Sequence, residues 1–373
     1  MSSTEGLRGV VAGNSSICTV DGQQGKLVYR GIDISELAEQ ATFEEVAYLL
    51  WHGRLPKRSE LDELQAQLHA NATLPQPVME LLRLAPHSAK PMDVLRTAVS
   101  ALGMWDPDAG DNSAEANLRK SIRLTAQIPT IITSFNHLRN GREPVAPRDD
   151  LSVAANFLYM LDGELSSEVA VKTFDVALTL HADHEFNAST FSARVTIATL
   201  SDVYSAVTAA IGTLSGPLHG GANEGVFRML QEVGSVENVE PYIKAKLAQK
   251  GARVMGIGHA VYKTTDPRAR HLKKMAESLT SESGNRLLFD MSTRIEQMML
   301  DAKGLHANVD FYSASVYHVL GIPTDLFTPV FAISRITGWT AHILEQLSDN
   351  RIIRPRAEYV GPVDQHYVPI EQR

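Results

Sequence analysis

The stretch TFEEVAYLLWHG, residues 42–53, shows the pattern that most of the chain follows. Thr42 and Glu45 have the spacing of a capping box, in which two side chains satisfy backbone N–H groups at a helix start. Gly53 and Pro56 end the pattern, because neither residue continues a helix readily. The segment therefore predicts an amphipathic helix with a buried stripe formed by Val46, Leu49 and Leu50.

Helical patterns recur through most of the remaining sequence. Ser59 is a candidate helix cap, Pro91 opens a segment that ends at Gly103, and Pro129 should kink a helix over about 113–138. Further helices are predicted over 151–161, 164–181, 187–212, 223–232, 239–249, 267–280, 284–302, 310–320 and 328–347. Short β-branched runs within 9–31 predict one small N-terminal β-hairpin. Since no Val- and Ile-rich strands alternate with the helical segments, the sequence favours an all-α fold.

Length and composition limit the classes of function. A chain of 373 residues with 44% hydrophobic content can bury a large core and corresponds to two or three domains. The net charge of −8 argues against a nucleic-acid-binding surface. The single cysteine, Cys18, excludes an intrachain disulfide and fits a reducing compartment. With neither an apolar membrane-length run nor a leader-like N-terminus, we expect a cytoplasmic protein that does not enter membranes.

Three histidine-bearing segments at predicted helix boundaries carry most of the candidate chemistry. They read His181-Ala-Asp-His184-Glu-Phe-Asn-Ala-Ser, Gly216-Pro-Leu-His219-Gly-Gly-Ala-Asn-Glu and Met255-Gly-Ile-Gly-His259-Ala-Val-Tyr-Lys263. His219 precedes a helical pattern, and a helix N-terminus disfavours a protonated imidazole. A neutral histidine there could donate to a developing enolate. In the third segment, Gly256 and Gly258 allow the backbone to approach a ligand closely.

Charged residues follow in the second half of the chain. Asp266 and Arg268 flank a proline and read as an N-cap and a first-turn guanidinium, an arrangement that favours carboxylate binding. Asp310 lies beside two aromatic residues, where desolvation would make it a stronger base. Arg335 and Arg354 lie beside apolar sequence, and buried arginines need anionic partners. Each residue alone has a structural explanation, but together they are typical of loops around a substrate site.

These segments, in this order, resemble the citrate synthase family. The resemblance rests on the three histidine motifs and on Asp266-Pro-Arg268, Val309-Asp-Phe-Tyr-Ser313 and Arg354-Pro-Arg-Ala-Glu-Tyr359. It extends to Gly9-Val-Val-Ala-Gly13, Leu27-Val-Tyr-Arg-Gly-Ile-Asp33 and Phe43-Glu-Glu-Val-Ala-Tyr-Leu-Leu50, so it covers nearly the whole chain. It implies an almost all-helical homodimer, with a larger homo-oligomer left open. The implied large domain comprises 1–218 and 326–373, with a small domain, 219–325, inserted.

The resemblance also implies a reaction and a set of site residues. The family condenses acetyl-coenzyme A with oxaloacetate and hydrolyses citryl-coenzyme A to citrate, in the tricarboxylic acid cycle. By motif, Asp310 would remove a methyl proton, His219 would hydrogen-bond the thioester oxygen, and His259 would polarise the oxaloacetate ketone. The implied oxaloacetate ligands are His184, Arg268, Arg335 and Arg354, the last from the partner subunit.

The expected coenzyme A contacts are less specific. The backbone of Met255, Gly256, Ile257 and Gly258 would lie on the adenine side, and Lys263 and Lys303 are candidate phosphate partners. Coenzyme A would be a co-substrate, with no permanently bound cofactor and no metal. Two of the implied contacts are less certain. Ala260 stands where many bacterial relatives have an arginine, so a phosphate contact from that arginine is in doubt, and Arg356 is an alternative to Arg354 for the same role.

Three alternatives remain open from the sequence. A 2-methylcitrate synthase would use the same residues on propionyl-coenzyme A, and a hydrophobic pocket distinguishes one methylene by only about 1–3 kcal/mol. The Arg354-Pro-Arg-Ala tail favours citrate, because methylcitrate enzymes tend to have serine after the proline. A zinc hydrolase built on His181, His184 and Glu185 lacks the i, i+4 histidine spacing. A helical scaffold without catalysis is the third.

Overall fold

The computed structural model describes residues 5–7, 9–249 and 251–373. These residues form sixteen α-helices and one small sheet, which confirms the all-α class. The first eight helices are α1 Ile34–Gln40, α2 Phe43–His52, α3 Arg58–Asn71, α4 Gln76–Leu84, α5 Pro91–Leu102, α6 Ala114–Arg139, α7 Val153–Asp162 and α8 Glu168–His181. The second eight are α9 Ala188–Ile197, α10 Val203–Leu214, α11 Ala222–Val233, α12 Val236–Ala248, α13 Pro267–Glu282, α14 Leu287–Lys303, α15 Val309–Val319 and α16 Phe327–Ser348.

The predicted N-terminal hairpin is present and gains a short third strand. β1 (Cys18–Asp21) pairs antiparallel with β2 (Lys26–Tyr29), with Cys18 opposite Tyr29 and Asp21 opposite Lys26. β3 (Ile32–Asp33) then pairs antiparallel with β2 and leads into α1. Leu27 and Tyr29 are fully buried, so β2 anchors the hairpin to the helical body.

The capping box of α2 forms as its sequence predicts. The Thr42 hydroxyl accepts the N–H of Glu45 at 3.3 Å, and the Glu45 carboxylate accepts the N–H of Thr42 at 2.8 Å. Gly53 ends the helix in a left-handed conformation. Nearly the whole helix is buried, and it packs on α3, α8 and α16.

The last helix, α16, lies at the centre of the protein. It packs against α2, α6, α8, α9 and α10, and Trp339 at its middle is completely buried. After it, 349–373 have no regular secondary structure apart from a short 3-10 helix, Ile370–Gln372, and are mostly exposed. Within the three described ranges, no helix combines the length and apolar character that crossing a bilayer requires.

One predicted helix is wrong: 187–212 form two helices, α9 and α10. Leu200 adopts a left-handed backbone with φ of 64°, which interrupts the helical path. Asp202 then caps α10, because its carboxylate accepts the N–H of Ser205 at 2.8 Å. The continuous apolar periodicity concealed this break.

Two carboxyl groups are buried between helices α2 and α8. Asp175 is 6% exposed and accepts the N–H of Phe43 at 3.0 Å, while Glu44 is 1% exposed and accepts the N–H of Val153 at 2.8 Å. Burial, and secondarily the charge of Glu44, raises the pKa of Asp175 to about 7. Lys172, with its Nζ 3.9 Å from the carboxylate, opposes this shift only in part.

Replacing Asp175 by asparagine should flatten the pH dependence of stability. Because the pKa of Asp175 is raised in the folded state, its contribution to stability is complete below the ordinary aspartate pKa and is lost as the pH rises towards 7. Between about pH 5 and pH 8, we expect the wild-type free energy of unfolding to fall by about 1–3 kcal/mol more than that of Asp175→Asn. Urea denaturation measures this, and exposed Asp62→Asn should behave as wild type. An equal fall in both variants would contradict the expectation.

Candidate active site

Two chain segments that are distant in sequence pair beside the candidate catalytic residues. The N–H of Gly258 donates to the carbonyl of His306 at 2.8 Å, and the N–H of Asn308 donates to the carbonyl of Gly256 at 2.9 Å. The Asn308 side chain adds a hydrogen bond to the Gly258 carbonyl at 2.8 Å. This pairing fixes the loop that carries His259 against the start of α15.

Gly256 is required for this close approach. A Cβ atom at its position would lie 2.9 Å from the Phe311 ring and 3.0 Å from the Phe311 Cα, and its φ of 73° is unfavourable for other residues. A Cβ there would also lie 2.6 Å from a Val226 methyl group, so Gly256 allows the loop to pack closely on helices α11 and α15. The expected approach to a ligand stays a prediction.

Backbone N–H groups fix the tautomer of His259. Its Nδ1 accepts the N–H of Val261 at 3.0 Å and the N–H of Tyr262 at 3.2 Å. A backbone amide only donates, so the ring proton must lie on Nε2. Burial, helped by the charge of Arg268, lowers the pKa of His259 to about 4. His259 is therefore a neutral imidazole that donates through Nε2.

His219 is held in the opposite tautomer. Its Nε2 accepts the N–H of Ser189 at 3.3 Å and lies 2.8 Å from the Ser189 hydroxyl, which itself accepts the Trp339 indole N–H at 3.1 Å. The ring proton is then on Nδ1. Burial is the largest cause that lowers the pKa of His219 to about 4, followed by the charge of Arg335. The neutral state that the sequence attributed to a helix dipole thus arises mainly from desolvation.

Asp310 lies in the first turn of α15, as its motif predicts. Asn308 caps the helix by accepting the N–H of Asp310 at 3.0 Å. Burial raises the pKa of Asp310 to about 6, and the charge of Arg268 opposes the shift. The carboxylate is therefore ionised near pH 7 and is more basic than an ordinary aspartate.

Arg268 is buried and already has an internal partner. Its Nε and Nη2 bind the two carboxylate oxygens of Asp266 at 3.0 and 2.8 Å. Asp266 also accepts the N–H of Val309 at 3.1 Å, which ties the start of α13 to the start of α15. The expected carboxylate-binding guanidinium thus shares its charge with a residue of the chain.

Arg335 has no such partner. It is 2% exposed, its Nε donates to the His181 carbonyl at 2.7 Å, and its guanidinium lies over the Phe331 ring. In the described parts of the chain, no carboxylate lies within ion-pairing distance of it. A buried cation without a counter-ion is costly, so an anionic ligand at this position would be stabilised.

The rings of His184, His259 and Tyr262 form a cluster, and the Arg268 guanidinium lies 5.8 Å from the centre of the Tyr262 ring. The His184 and His259 ring centroids are 5.5 Å apart, and Tyr262 packs against both rings. The Tyr262 hydroxyl lies 3.2 Å from His184 Nε2. Burial and then the charge of Arg268 hold the pKa of His184 well below its usual range. The cluster therefore adds polar hydrogen-bonding groups without adding charge.

The remaining predicted site residues lie outside this cluster. Arg354 is exposed and lines a separate cavity of about 870 Å³, together with Arg194 and Glu345. Lys263 is exposed at the edge of a cavity of about 140 Å³ that Gly258 and His259 also line. Lys303 is exposed at the end of α14, and the Met255–Ile257 backbone forms the loop before Gly258.

Sequence reasoning missed three residues that orient the candidate catalytic groups. Ser189 fixes the His219 tautomer, Tyr262 contacts His184, and Asn308 bridges the paired segments. Ser189 and Tyr262 lie within the quoted histidine motifs, and Asn308 directly precedes Val309 and Asp310. The sequence offered one indication, which is that all three residues lie close in the chain to candidate site residues. Their contacts could not be predicted, because they depend on the fold.

The zinc alternative gains no support from the geometry. Within the residues that the structure covers, no three histidine, cysteine or acidic side chains are grouped as metal ligands. His181 is completely buried, and its Nδ1–H donates to the Ala177 carbonyl at 2.7 Å. His181 and His184 therefore do not form a ligand pair here.

In this helical fold, the charges of two buried guanidiniums act on two neutral imidazoles and a basic aspartate, which is a set of groups suited to acid–base chemistry on an anionic substrate. The family model for the citrate synthase C-terminal domain matches residues 6–356. The chain belongs to the citrate synthase family, which is a family of acyltransferases.

The relatives are similar over their full lengths. Citrate synthase 2 from Bacillus subtilis is 55% identical, with 100% of both chains covered. Citrate synthase from Haloferax volcanii is 50% identical over 99% of this chain and 98% of that one. A 2-methylcitrate synthase from Shewanella oneidensis is 44% identical over 99% and 97%.

A solved structure shares the fold. It is the ternary complex of carboxymethyl coenzyme A and oxaloacetate with citrate synthase from Thermoplasma acidophilum. This chain matches it with a TM-score of 0.92 and 32% identity, and 99% of each chain is covered.

Removing the unpaired guanidinium should abolish anion binding. Saturating malate, a small dicarboxylate, should raise the Tm of the wild-type protein by several degrees, since ligand at 100 times its Kd stabilises by about 2.7 kcal/mol. Arg335→Leu should lose this shift, whereas Arg228→Leu, at an exposed position, should keep it. Thermal melts with and without malate measure the effect. A full shift in Arg335→Leu would show that the anion binds elsewhere.

Proposed function

We propose that the chain catalyses the condensation of acetyl-coenzyme A with oxaloacetate and the hydrolysis of citryl-coenzyme A to citrate and coenzyme A. The observation that carries this proposal is a set of four groups: two neutral histidines in opposite tautomers, a basic aspartate, and the unpaired cation of Arg335, whose charge acts on both His219 and Asp310. A carbon acid needs a positioned base and a donor for the developing oxyanion. The citrate synthases at 50% and 55% identity support the same reaction.

In the proposed first step, the Asp310 carboxylate removes a proton from the acetyl methyl group. The C–H electron pair becomes the enolate π bond, and the thioester oxygen receives a hydrogen bond from His219 Nδ1–H. Because His219 is neutral, it can stabilise the oxygen without a full proton transfer.

In the second step, the enolate carbon attacks the oxaloacetate ketone and forms the new C–C bond. The enolate oxygen reforms the thioester carbonyl, and the ketone π electrons move to the ketone oxygen, which takes the proton of His259 Nε2. The proton that Asp310 accepted in the first step then returns to His259 Nε2 through water, so both side chains regain their starting states. Water then attacks the thioester carbon, and the C–S bond breaks to release coenzyme A with a protonated thiol. Negative charge develops on the thioester oxygen and on the ketone oxygen, and the N–H groups of His219 and His259 are already positioned to stabilise it.

The proposed oxaloacetate ligands are His184, Arg268 and Arg335, with Arg354 from a second subunit. Two planar guanidiniums suit two carboxylates, and burial strengthens both interactions. For coenzyme A, we keep the Met255–Gly258 backbone and the exposed Lys263 and Lys303 as proposed contacts. The position of Lys263 beside the His259 cavity supports its part in this set.

A 2-methylcitrate synthase activity is the second candidate. The relative with that name is 44% identical, against 55% for a citrate synthase, and the tail reads Arg354-Pro-Arg-Ala. These two observations favour acetyl-coenzyme A. Thiol release from acetyl- and propionyl-coenzyme A, each with oxaloacetate, tests the choice: a higher kcat/KM with the propionyl donor would overturn it.

We also propose a cytoplasmic homodimer whose small domain, 219–325, closes on a large domain of 1–218 and 326–373. The exposed terminal arm supports self-association, since Tyr359, Val360 and Tyr367 are 71%, 90% and 81% exposed. Closure would exclude water from the enolate. Small-angle scattering that oxaloacetate and a coenzyme A analogue leave unchanged would argue against closure.

The pH profile should follow the ionisation of Asp310. Since burial raises its pKa to about 6, kcat/KM for acetyl-coenzyme A should rise with pH through about 6 and then level off. Asp310→Asn should lower thiol release by about 10²–10⁴-fold at every pH. Exposed Asp301→Asn serves as the matched control and should retain both rate and profile. A profile centred near pH 4 would contradict the assignment.

Mixing two inactive variants should restore activity if Arg354 acts in the neighbouring subunit. A dimer of one Asp310→Asn and one Arg354→Ala chain would contain one intact site. Random exchange of equal amounts should therefore give about one quarter of the wild-type rate. The Arg356→Ala variant, assayed without mixing, should retain activity. If Arg356→Ala is inactive and Arg354→Ala is active, then Arg356 has the role that is proposed here for Arg354. Absence of recovery after subunit exchange, confirmed by native mass spectrometry, would show that Arg354 does not act in the site of the neighbouring subunit.

A further inference from the structure

The turn of the N-terminal hairpin touches the loop that carries His259. The N–H of Lys263 donates to the carbonyl of Gly22 at 2.8 Å, although the two residues are far apart in sequence. The hairpin belongs to the proposed large domain and the loop to the proposed small domain. This hydrogen bond is therefore a direct backbone connection between the two.

Two glycines make this contact possible. A Cβ on Gly22 would overlap the Val261 carbonyl oxygen and lie 2.8 Å from the Val261 carbonyl carbon. A Cβ on Gly25 would lie 2.7 Å from the Thr264 methyl group and 2.8 Å from the Thr265 carbonyl oxygen. The obstacles include main-chain atoms, which cannot rotate away as a flexible side chain would.

The same hairpin also holds the segment that carries His184. The N–H of Val20 donates to the Glu185 carboxylate at 3.0 Å. The hydroxyl of Tyr29 donates to the Asp183 carbonyl at 2.8 Å and accepts the Asp183 N–H at 3.1 Å. One small element thus contacts both segments that contribute histidines to the ring cluster.

The link to the chemistry passes through Val261. Its N–H binds His259 Nδ1, and its carbonyl lies against Gly22. A displacement of Val261 would therefore move or release the donor that orients the His259 ring. An error of about 1 Å in the placement of a reacting group can reduce a rate by about 10²-fold.

We infer that the hairpin turn Asp21–Gly25 is a positioning element for His259. In this arrangement Gly22 seats the Val261 carbonyl, whose peptide group carries the Tyr262 N–H that holds the imidazole together with the Val261 N–H. This inference rests on the proposed function, because it assigns to His259 the polarisation of the oxaloacetate ketone. Gly22 acts through Val261 and does not touch substrate.

The test compares Gly22→Ala with Gly110→Ala. Both changes add one methyl group to a glycine outside the left-handed region, but a Cβ at Gly110 meets no atom within 4 Å. For Gly22→Ala, we expect kcat to fall by about 10–100-fold while KM for acetyl-coenzyme A changes less than about threefold. Carbon-13 NMR of bound oxaloacetate should show its ketone signal shifted back towards the free value. Gly110→Ala should match the wild type in all three.

The outcomes separate this inference from the proposed function. If Gly22→Ala only lowers the Tm, with kcat and the ketone signal unchanged below that temperature, the hairpin is merely structural and the inference is wrong. If the wild-type protein releases no thiol from acetyl-coenzyme A, the proposed function fails and the inference falls with it. Should Gly22→Ala not fold, Thr264→Ala, which removes the methyl group packed at Gly25, is judged by the same readouts.

Discussion

Backbone amides acting on two imidazoles determine what this site can do. The N–H groups of Val261 and Tyr262 donate to Nδ1 of His259, whereas the N–H of Ser189 donates to Nε2 of His219. An amide has no alternative to donating, so each ring is left with its proton on the opposite nitrogen. The chain thereby presents two neutral donors at fixed positions. Burial supports this state by lowering both pKa values to about 4.

The charges around these donors are arranged unequally. Arg268 is neutralised by Asp266, while Arg335 has a carbonyl and an aromatic ring as its neighbours. One buried cation of the site, Arg335, therefore has no ion-pair partner among the described residues, although the chain as a whole carries −8. The same burial raises the pKa of Asp310 to about 6. Desolvation thus makes the base stronger, keeps the imidazoles neutral and strengthens attraction for an anionic substrate.

The sequence predicted much of the fold because its helical signals are local. The capping box at Thr42, the cap at Asp266 and the helix start near Asp310 all depend on neighbours within a few residues, and all are present. The break between α9 and α10 was missed because the left-handed conformation of Leu200 leaves no mark on hydrophobic periodicity. The sequence motifs likewise indicated His219, His259 and Asp310 as candidate catalytic residues, because each motif is a short local pattern. The roles of Ser189, Tyr262 and Gly22 were not predictable, since each depends on a contact between segments far apart in the chain.

The tautomers of the two histidines are the most direct test of this account. Nitrogen-15 NMR of histidine-labelled protein distinguishes protonated from bare ring nitrogens, and the loss of signals in His219→Gln and His259→Gln assigns them. Near pH 7, His219 should carry its proton on Nδ1 and His259 on Nε2, each as a neutral ring. An imidazolium at either position, or the same tautomer at both, would contradict the account.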